Sequence, residues 1–539
     1  MNQADELRDR LASRAWRISN LHTILTKGSH EDDPLTLHAF KPNLAQRTYY
    51  NNRHTKDAIL KARKLGLSTF KAVEFADLAQ FQPRTSLGII DYTIDDAVEK
   101  LSMVRTTWQH LDNGDIHPAT WRLGAELKRK NPLITDNQRE LEWQNGARCS
   151  CSTTFRGRTP QHLWLSEFGK IAAFAPKKAA EIINGALNSI LPGQTVTSES
   201  THEGAKAGEH YRILRMAMKN ADRTDLSAVD WRFHFFAWHD DPRYSIDPKG
   251  QDLRPEIARY FSEFSEKHPE IILTDAQKYW YDRKQEEQGY GMKKEFPTTP
   301  GEAFESLIQG AIYGRDLQDL RAGGRVCDLV ADPSPLFTFW DIGFSDYTAI
   351  WLLQLAGRDV LIHRFHQDHR QPFGSYAHKI REWEREFARP LDHHFLPHDA
   401  ETHDKGSGQT PLQFLIHAGI SARDITIVPR TKDVWTGINA GRNLIARSYF
   451  DRSCDEPTTS SNGFECPSGL QSLENYRTKV TTADGFETNT IIHDENSHPA
   501  DAFRTFAEAH QQGLIHYAAA RQPAQVSIHN PSRFSPSRR

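Results

Sequence analysis

The stretch LFTFWDIG (336–343) is an apolar run that ends on an aspartate and a glycine, and two more strand-like runs follow it directly, YTAIWLLQLA (347–356) and VLIHRFHQ (360–367). A glycine between these last two runs supplies the chemistry of a turn. A charged segment with helical spacing (376–388) and a fourth strand-like run, HHFLPHD (393–399), come next. Three strands, a helix and a fourth strand predict a domain built on a mixed sheet.

A helix and a strand follow this core. In TPLQFLIHAG (410–419), Thr410 is suited to cap a helix, Pro411 to occupy its first position and Gly419 to end it. The run ITIVP (425–429) is strand-like. These elements extend the same sheet and its helical cover.

The N-terminal half has a different pattern, in which short apolar runs alternate with helical segments. The strand-like runs span residues 58–62, 86–92, 162–167 and 195–201. Strand–helix alternation predicts a mainly parallel sheet with helices on both faces, and therefore an α/β domain. The segment KKEFPTTPGEAFES (293–306) is rich in Pro, Gly and Thr and indicates a boundary between the halves.

The composition limits the class of protein. A chain of 539 residues is too long for one core, and its 38% hydrophobic and 25% charged content is ordinary for globular proteins. It has no run of eighteen apolar residues and its charged start, MNQADELRDR, lacks an apolar core, so we expect neither a membrane span nor a secretory signal. The net charge of −3 neither indicates nor excludes nucleic-acid binding. The five cysteines show no metal-ligand grouping and are expected to be reduced thiols.

Three aspartates stand at matched places in the C-terminal half. Asp341 and Asp399 end the first and fourth strand-like runs, and Asp501 lies in the first turn of a late helical segment. Clustered carboxylates repel one another unless a cation lies between them, and their oxygens suit Mg²⁺ or Mn²⁺. Two such ions would activate water against a phosphodiester. Asp346 and His498 could add supporting contacts. The alternative is that each aspartate is a turn or cap residue.

The stretch LKARKLGLST (60–69), between a strand-like and a helical segment, is a candidate phosphate loop. Such a loop needs backbone N–H groups at a helix N-terminus, a lysine and a hydroxyl for magnesium. Gly66 and Ser68 fit, but Leu67 occupies the usual lysine position and Lys61 the usual first glycine position. From these residues alone, an ordinary strand-to-helix turn is the preferred interpretation.

Several motifs together resemble those of the large subunits of tailed-phage DNA-packaging terminases, from about residue 40 to about residue 515. DIGFSDYTAIW, PHDAE and HPADAFR resemble the three nuclease motifs of that family, in order, and EFPTTPGEAFES resembles its inter-domain junction. The resemblance implies an N-terminal P-loop ATPase domain of the additional-strand, conserved-glutamate (ASCE) type and a C-terminal RNase H-like nuclease domain.

The same resemblance implies roles for residues around ATP. Lys61 would be the phosphate lysine, entering from the start of the loop, and Arg63 is similar to a loop arginine of the family. Glu167, in HLWLSEFGK, would orient the attacking water, although Ser166 stands where a magnesium-linked aspartate is usual. Further nucleotide contacts are implied for the loop residues Lys64, Gly66, Ser68 and Thr69, with Ser68 as the magnesium hydroxyl.

The resemblance extends to residues outside the loop. Gln46 matches an adenine-contacting glutamine, and a surface glutamine is the alternative. Ser200 and Thr201 match the motif that couples the state of the phosphate to movement. Arg156 matches an arginine proposed to reach the ATP of a neighbouring subunit, and a surface salt bridge is the alternative.

The resemblance further implies an enzyme that drives double-stranded DNA into a procapsid with ATP and cuts the concatemer with a divalent metal, Mg²⁺ or Mn²⁺, while Mg²⁺ accompanies ATP. Its partners would be DNA, a portal protein, a small terminase subunit and further copies in a ring, commonly a pentamer, with no membrane. It would work in the bacterial host cytoplasm and transiently at the portal vertex, and would not stay in the mature virion. One alternative is a resolvase- or integrase-like nuclease whose N-terminal domain is not a motor, and a second is a structural virion protein that is not an enzyme.

We expect the following division of the chain: an N-terminal arm at 1–40, the ATPase domain at 41–295, a linker at 296–330, the nuclease domain at 331–520 and a disordered basic tail at 521–539.

Overall fold

The chain folds into two compact units, Met1–Ser306 and Leu307–Arg539. The computed structural model describes residues 3–26, 34–155, 160–187, 190–191, 194–203, 208–304, 310–343, 347–403, 408–431, 433–460, 465–480 and 487–515. Arg156, Asp346 and the expected tail at 521–539 lie outside these ranges. Within them, no helix is both long enough and apolar enough to cross a membrane.

The N-terminal unit is built from helices and strands that alternate along most of its length. In chain order they are α1 Gln3–Ala12, α2 Arg14–Asn20, β1 Thr23–Thr26, β2 Thr36–Ala39, α3 Leu44–Asn52, β3 Lys56–Lys61, α4 Leu67–Phe81, β4 Ser86–Ile90, α5 Ile94–Gln109, α6 Trp121–Lys130, β5 Leu133–Asp136, β6 Glu140–Trp143, β7 Arg148–Ser152, β8 His162–Ser166, α7 Phe168–Phe174, α8 Pro176–Ile182, β9 Thr195–Ser200, α9 Gly208–Lys219, β10 Trp231–Phe236, α10 Pro255–Lys267, α11 Asp275–Gln288, α12 Met292–Glu295 and α13 Pro300–Ala303.

The main sheet of this unit has the strand order β10-β3-β9-β8-β4-β7-β6-β5. The strands from β10 to β7 are parallel, and β6 and β5 add an antiparallel edge. The central strands are apolar and buried along nearly their whole length, because helices cover both faces. Strand β9 is inserted between β3 and β8, as in the ASCE class, so the predicted fold class of this half is confirmed.

The N-terminal segment differs from the exposed arm that the sequence predicted. Ile18 on α2 and Phe40 after β2 are buried in the same apolar core as α4. Arg17 donates to both carboxylate oxygens of Asp77 on α4, each at 2.8 Å. A polar segment is therefore docked, because its few apolar side chains and two arginines, Arg14 and Arg17, find partners on α4, a helix that packs on the main sheet.

The C-terminal unit has longer strands and fewer helices. Its elements are α14 Gly314–Ala322, β11 Val326–Cys327, β12 Leu336–Asp341, β13 Tyr347–Ala356, β14 Asp359–His369, α15 Phe373–Glu386, β15 His393–Pro397, α16 Pro411–His417, β16 Ile425–Val428, α17 Val434–Ile445, β17 Ser448–Asp451, β18 Thr458–Thr459, β19 Glu465–Cys466, α18 Gly469–Asn475, β20 Thr478–Val480, β21 Glu487–Ile491 and α19 Ser497–Gln511.

The main sheet of the C-terminal unit has the order β11-β17-β14-β13-β12-β15-β16. Strands β12, β13 and β14 form an antiparallel meander, whereas β15 pairs parallel to β12, with Phe339 opposite Phe395. The order β14-β13-β12-β15-β16 is that of an RNase H-like core, and the predicted mixed sheet is confirmed. The helix predicted at 410–419 is also confirmed as α16, with Thr410 and Gln413 forming a capping box.

The segment expected to be a linker, 296–330, is largely structured. The division between the units falls within it, after Ser306. Its second part forms α14 and β11, and Leu317 and Leu320 of α14 are fully buried in the core of the C-terminal unit. Apolar residues at helical spacing explain why this part belongs to the folded unit.

Candidate active sites

The first candidate site lies in the N-terminal unit, where β3, β8 and β9 end side by side. Lys61 is the last residue of β3, and its Nζ lies 3.4 Å from Glu167 Oε1 and 3.2 Å from Glu199 Oε2. Burial by itself lowers the pKa of the Lys61 ammonium, but the two glutamates outweigh this effect and hold the pKa above its ordinary value. The lysine is therefore charged, and the fold brings it together with Glu167.

Glu199 on β9 is the centre of this cluster, although its side chain is fully buried. Its Oε1 accepts hydrogen bonds from Ser68 Oγ at 2.8 Å and from Trp164 Nε1 at 3.2 Å. Our sequence interpretation missed Glu199 and named the next two residues instead. The available signal was a glutamate inside a strand expected to be buried on both faces, because such a residue requires partners.

Glu167 follows β8 directly and caps α7 in a left-handed backbone conformation, with φ 48°. That conformation costs energy for a residue with a Cβ and is concentrated at functional sites. Its N–H donates to Glu199 O at 2.9 Å, and Ser200 Oγ lies 3.4 Å from Glu167 Oε2. Ser200 also accepts from the N–H of Gly169 at 3.1 Å. The predicted residues Glu167 and Ser200 are thus in contact.

The candidate phosphate loop runs from Ala62 to Gly66 and leads into α4. Lys64 and Gly66 have positive φ angles of 59° and 76°, and Gln46 donates from Nε2 to Gly66 O at 2.6 Å. Gln46 is buried and its Oε1 accepts from the N–H of Asn43, so both ends of its amide engage the protein. These contacts make Gln46 a residue that holds the loop.

The remaining residues predicted for the nucleotide site differ in how far they are buried. Thr69 lies in the first turn of α4, and Thr201 is buried just after β9. Arg63 is exposed and its Nε lies 2.9 Å from Glu295 Oε2. Arg156 is outside the described residues.

Two departures from the usual nucleotide motifs are explained by packing. Leu67 is buried in the apolar core around α4, where the ammonium group of a lysine would lose its hydration. Ser166 is fully buried at the end of β8, and Asp91 follows the adjacent strand β4. Burial raises the pKa of Asp91 to about 6, only partly opposed by Lys100. A second buried acid at position 166 would add repulsion beside Asp91.

The second candidate site lies in the C-terminal unit, where β12 emerges from the sheet and α19 begins. Asp341 is the last residue of β12, and its Oδ2 lies 2.9 Å from His498 Nδ1. Phe503 and Phe506 of α19 are buried, and Trp351 Nε1 donates to Pro499 O at 2.9 Å. The apolar side of α19 thereby fixes the helix so that its first turn faces Asp341.

Asp501 on α19 interacts with Asp341. Burial raises the pKa of Asp501, Arg504 opposes this shift, and the negative charge of Asp341 adds to it. Arg504 Nη1 lies 2.9 Å from Asp501 Oδ1 but without the alignment of a hydrogen bond, and Arg504 also faces Glu508 at 3.4 Å. Asp501 therefore lies between the guanidinium of Arg504 and a second carboxylate, that of Asp341.

Asp399 lies at the neighbouring strand end, apart from this pair. It belongs to a short 3-10 turn, His398–Glu401, after β15, and its side chain is 62% exposed, against 20% for Asp341 and 19% for Asp501. Its Oδ1 lies 3.2 Å from His398 Nε2. Over the described ranges, no three His, Cys, Asp or Glu residues form a group that could hold a metal ion. The fold joins two of the three predicted acids.

Comparisons with known proteins give structural likenesses only. No family model and no curated protein matches the chain. It is similar to the large terminase of the thermophilic bacteriophage D6E in complex with ADP, at 12% identity and a TM-score of 0.30, over 87% of this chain and 98% of that chain. It is also similar to the HK97 bacteriophage large terminase, at 13% identity and a TM-score of 0.39, over 80% of this chain and 92% of that chain. The P22 large terminase nuclease domain is similar at 16% identity and a TM-score of 0.26, over 35% of this chain and 89% of that chain. Likeness at this level defines neither the family nor the activity of the chain.

Proposed function

We propose that this chain is the large subunit of a DNA-packaging terminase, an ATP-driven DNA translocase joined to a metal-dependent endonuclease. The observation that supports this best is that one chain carries both kinds of site: a lysine–glutamate cluster beside a glycine loop in an ASCE-ordered sheet, and an aspartate pair at the end of an RNase H-like sheet. A nuclease alone would need only the second site.

In the proposed ATPase, Lys61 binds the phosphates and the N–H groups of the loop surround them. Glu167 orients the attacking water, and Ser200 Oγ, 3.4 Å from its Oε2, holds that carboxylate. Ser68 and Glu199 supply oxygen atoms for the Mg²⁺ that accompanies ATP. Arg156 would act on the ATP of a neighbouring subunit. Because Lys61 already pairs with two glutamates, phosphate binding must compete with Glu167 for the ammonium.

In the proposed nuclease, Asp341 and Asp501 hold a divalent cation, and Asp399 would become a third ligand only by moving its exposed side chain away from His398 and toward them. Two neighbouring carboxylates at the end of a sheet are a donor set that suits Mg²⁺ or Mn²⁺. Such a metal supplies positive charge that activates water and neutralises the leaving oxygen of a phosphodiester. His498 orients Asp341, and Arg504 limits the movement of Asp501.

The substrate and partners follow from this proposal. The enzyme would act on double-stranded DNA, mostly through phosphate contacts that weaken as salt rises. It would assemble as a homo-oligomeric ring, with five copies as the proposed number, on the portal protein of a procapsid. A small terminase subunit would bring the DNA. The proposed place of action is the host cytoplasm and the portal vertex, without incorporation into the mature virion.

Two measurements on the purified full chain test the proposal. We expect ATP hydrolysis that double-stranded DNA stimulates, and nicking of supercoiled plasmid that requires Mn²⁺ or Mg²⁺ and stops with EDTA. Nicking without any ATP hydrolysis would instead favour a resolvase- or integrase-like nuclease with a non-motor N-terminal unit. If the wild-type chain showed neither ATP hydrolysis nor nicking, the proposal as a whole would be refuted.

A further inference from the structure

The candidate phosphate loop is held by side chains from other segments, which donate hydrogen bonds to its carbonyl groups. Four consecutive carbonyls each accept a hydrogen bond from a side chain elsewhere in the N-terminal unit. The pairs are Arg63 O with Tyr244 Oη at 2.5 Å, Lys64 O with Arg243 Nη2 at 3.1 Å, Leu65 O with Asn43 Nδ2 at 2.9 Å and Gly66 O with Gln46 Nε2 at 2.6 Å.

This arrangement determines where the N–H groups of the loop point. In a planar trans peptide the carbonyl and the following N–H face opposite directions, so carbonyls turned outward place the next N–H groups on the inner side. Among the described residues, none accepts a hydrogen bond from the N–H groups of Lys64, Leu65 or Gly66. The positive φ angles at Lys64 and Gly66 are typical of backbone concavities that bind anions.

The two donors that follow β10 are themselves held firmly. The ring of Tyr244 packs between Trp280, at 4.7 Å between centroids, and Phe296, at 5.6 Å. Arg243 is paired with the buried Asp241, with Nη2 2.6 Å from Oδ2 and Nε 2.9 Å from Oδ1. Tyr244 therefore reaches the loop from a packed ring, and Arg243 reaches it from an ion pair with a buried carboxylate.

We infer that Tyr244 and Arg243 are positioning residues that shape the phosphate loop by fixing its carbonyls outward. The inference rests on the proposed ATPase. Neither residue was identified from the sequence, since segment 241–244 lies far from the loop along the chain.

The test compares two tyrosine-to-phenylalanine substitutions in the full-length chain. Tyr244→Phe removes the hydroxyl that holds Arg63 O and keeps the ring. Tyr260→Phe is the matched control, because its hydroxyl bonds to Glu302 and Thr298 in the same aromatic core, away from the loop. The probe is a fluorescent ATP analogue with Mg²⁺, and ATPase kinetics and the melting temperature are measured in parallel.

We expect Tyr244→Phe to raise Kd and KM about 2- to 10-fold, as for the loss of one hydrogen bond, with kcat changed by less than about twofold. Tyr260→Phe should leave Kd and KM unchanged, even if it lowers the melting temperature as much as Tyr244→Phe does. Arg243→Met, which keeps the aliphatic stem, should also raise Kd. Equal Kd values for Tyr244→Phe and wild type would overturn this inference but leave the proposed ATPase standing. A wild-type chain that binds no nucleotide would overturn the proposed ATPase, and the inference with it.

Discussion

The two candidate sites gather acidic side chains in opposite electrostatic settings. In the N-terminal unit, Glu167 and Glu199 face Lys61, which belongs to the same chain and keeps a raised pKa. In the C-terminal unit, Asp341 and Asp501 face each other, and the pKa of Asp501 is raised instead. Each pair of acids has one basic partner: Lys61 lies between both glutamates, whereas Arg504 pairs with Asp501 and leaves Asp341 beside His498. The difference teaches that one shared ammonium holds both acids of the first site, whereas the acids of the second site keep a mutual repulsion that a bound cation would relieve.

The largest effect should follow from removing an acid of the second site. We expect Asp341→Ala to lower metal-dependent plasmid nicking by about 10³-fold, equivalent to ~4 kcal/mol of transition-state stabilisation, because the cation loses a ligand. Nicking is measured by gel under single-turnover conditions. Asp359→Asn, at the β13–β14 turn on the far end of the same sheet, is the control and should nick normally. Full nicking by Asp341→Ala would remove this residue from the site.

The first site should respond to loss of its lysine with lost stability. Lys61→Met leaves the buried carboxylate of Glu199 without its cation, beside the partly exposed Glu167. We expect the N-terminal unit to lose about 3 kcal/mol, as when one partner of a buried ion pair is removed. Hydrogen–deuterium exchange of the β3, β8 and β9 peptides measures the loss. Lys56→Met, at the opposite end of β3, is the control. Unchanged exchange in Lys61→Met would break the proposed contrast between the two sites.

Glu167→Gln should separate nucleotide binding from hydrolysis. The amide keeps the shape of the side chain but cannot accept a proton or orient water as a carboxylate does, so we expect kcat for ATP to fall about 10²-fold. Binding of a fluorescent ATP analogue should persist, because Lys61 loses a competing carboxylate. Glu209→Gln, in an exposed pair with Arg212 on α9, is the comparison variant. Hydrolysis at the wild-type rate would exclude Glu167 from the chemistry.

The smallest expected effect concerns pH. Burial, opposed by Arg504 and increased by Asp341, raises the pKa of Asp501 from 3.8 to about 7. Because the folded state holds this proton more tightly than the unfolded chain, the stabilisation is full below about pH 4 and is lost as pH rises through about 7. In EDTA at about pH 8, Asp501→Asn should therefore be more stable than wild type by ~1–2 kcal/mol, with the gain absent at about pH 4.

Urea unfolding followed by circular dichroism checks this pH effect. Mg²⁺ at about pH 8 should stabilise the wild type and have less effect on Asp501→Asn, because the variant lacks a ligand. The same stability difference at both pH values would mean that Asp501 does not titrate as its surroundings indicate.

The strands were predictable from the sequence where their apolar pattern was strong. The run at 336–343, the two runs after it and the capped helix at 410–419 all form as predicted. Asp501 was predictable as a helix residue, and its approach to Asp341 followed from an assumed topology. The roles assigned to the site residues stay predictions, because the chemistry depends on side-chain contacts and bound ligands that the pattern of strands and helices does not determine.

Other features were decided by packing between distant segments. Glu199 became the centre of the first cluster only because β9 lies between β3 and β8. Asp399 was expected with Asp341 and Asp501, but a short turn after β15 leaves its side chain exposed. The N-terminal segment was expected to be exposed, yet Arg17 pairs with Asp77 sixty residues away.

By itself, the sequence determined the periodicity of the strands and helices, the two-part organisation of the chain and the acids available for chemistry. These depend on local backbone preference and on which side chains avoid water. Only the tertiary structure decided which charges meet: Lys61 with two glutamates, Asp341 with Asp501 and His498, and the loop carbonyls with Tyr244 and Arg243. Charge interactions act over a few ångströms, and strand order brings residues within that distance that are far apart along the chain.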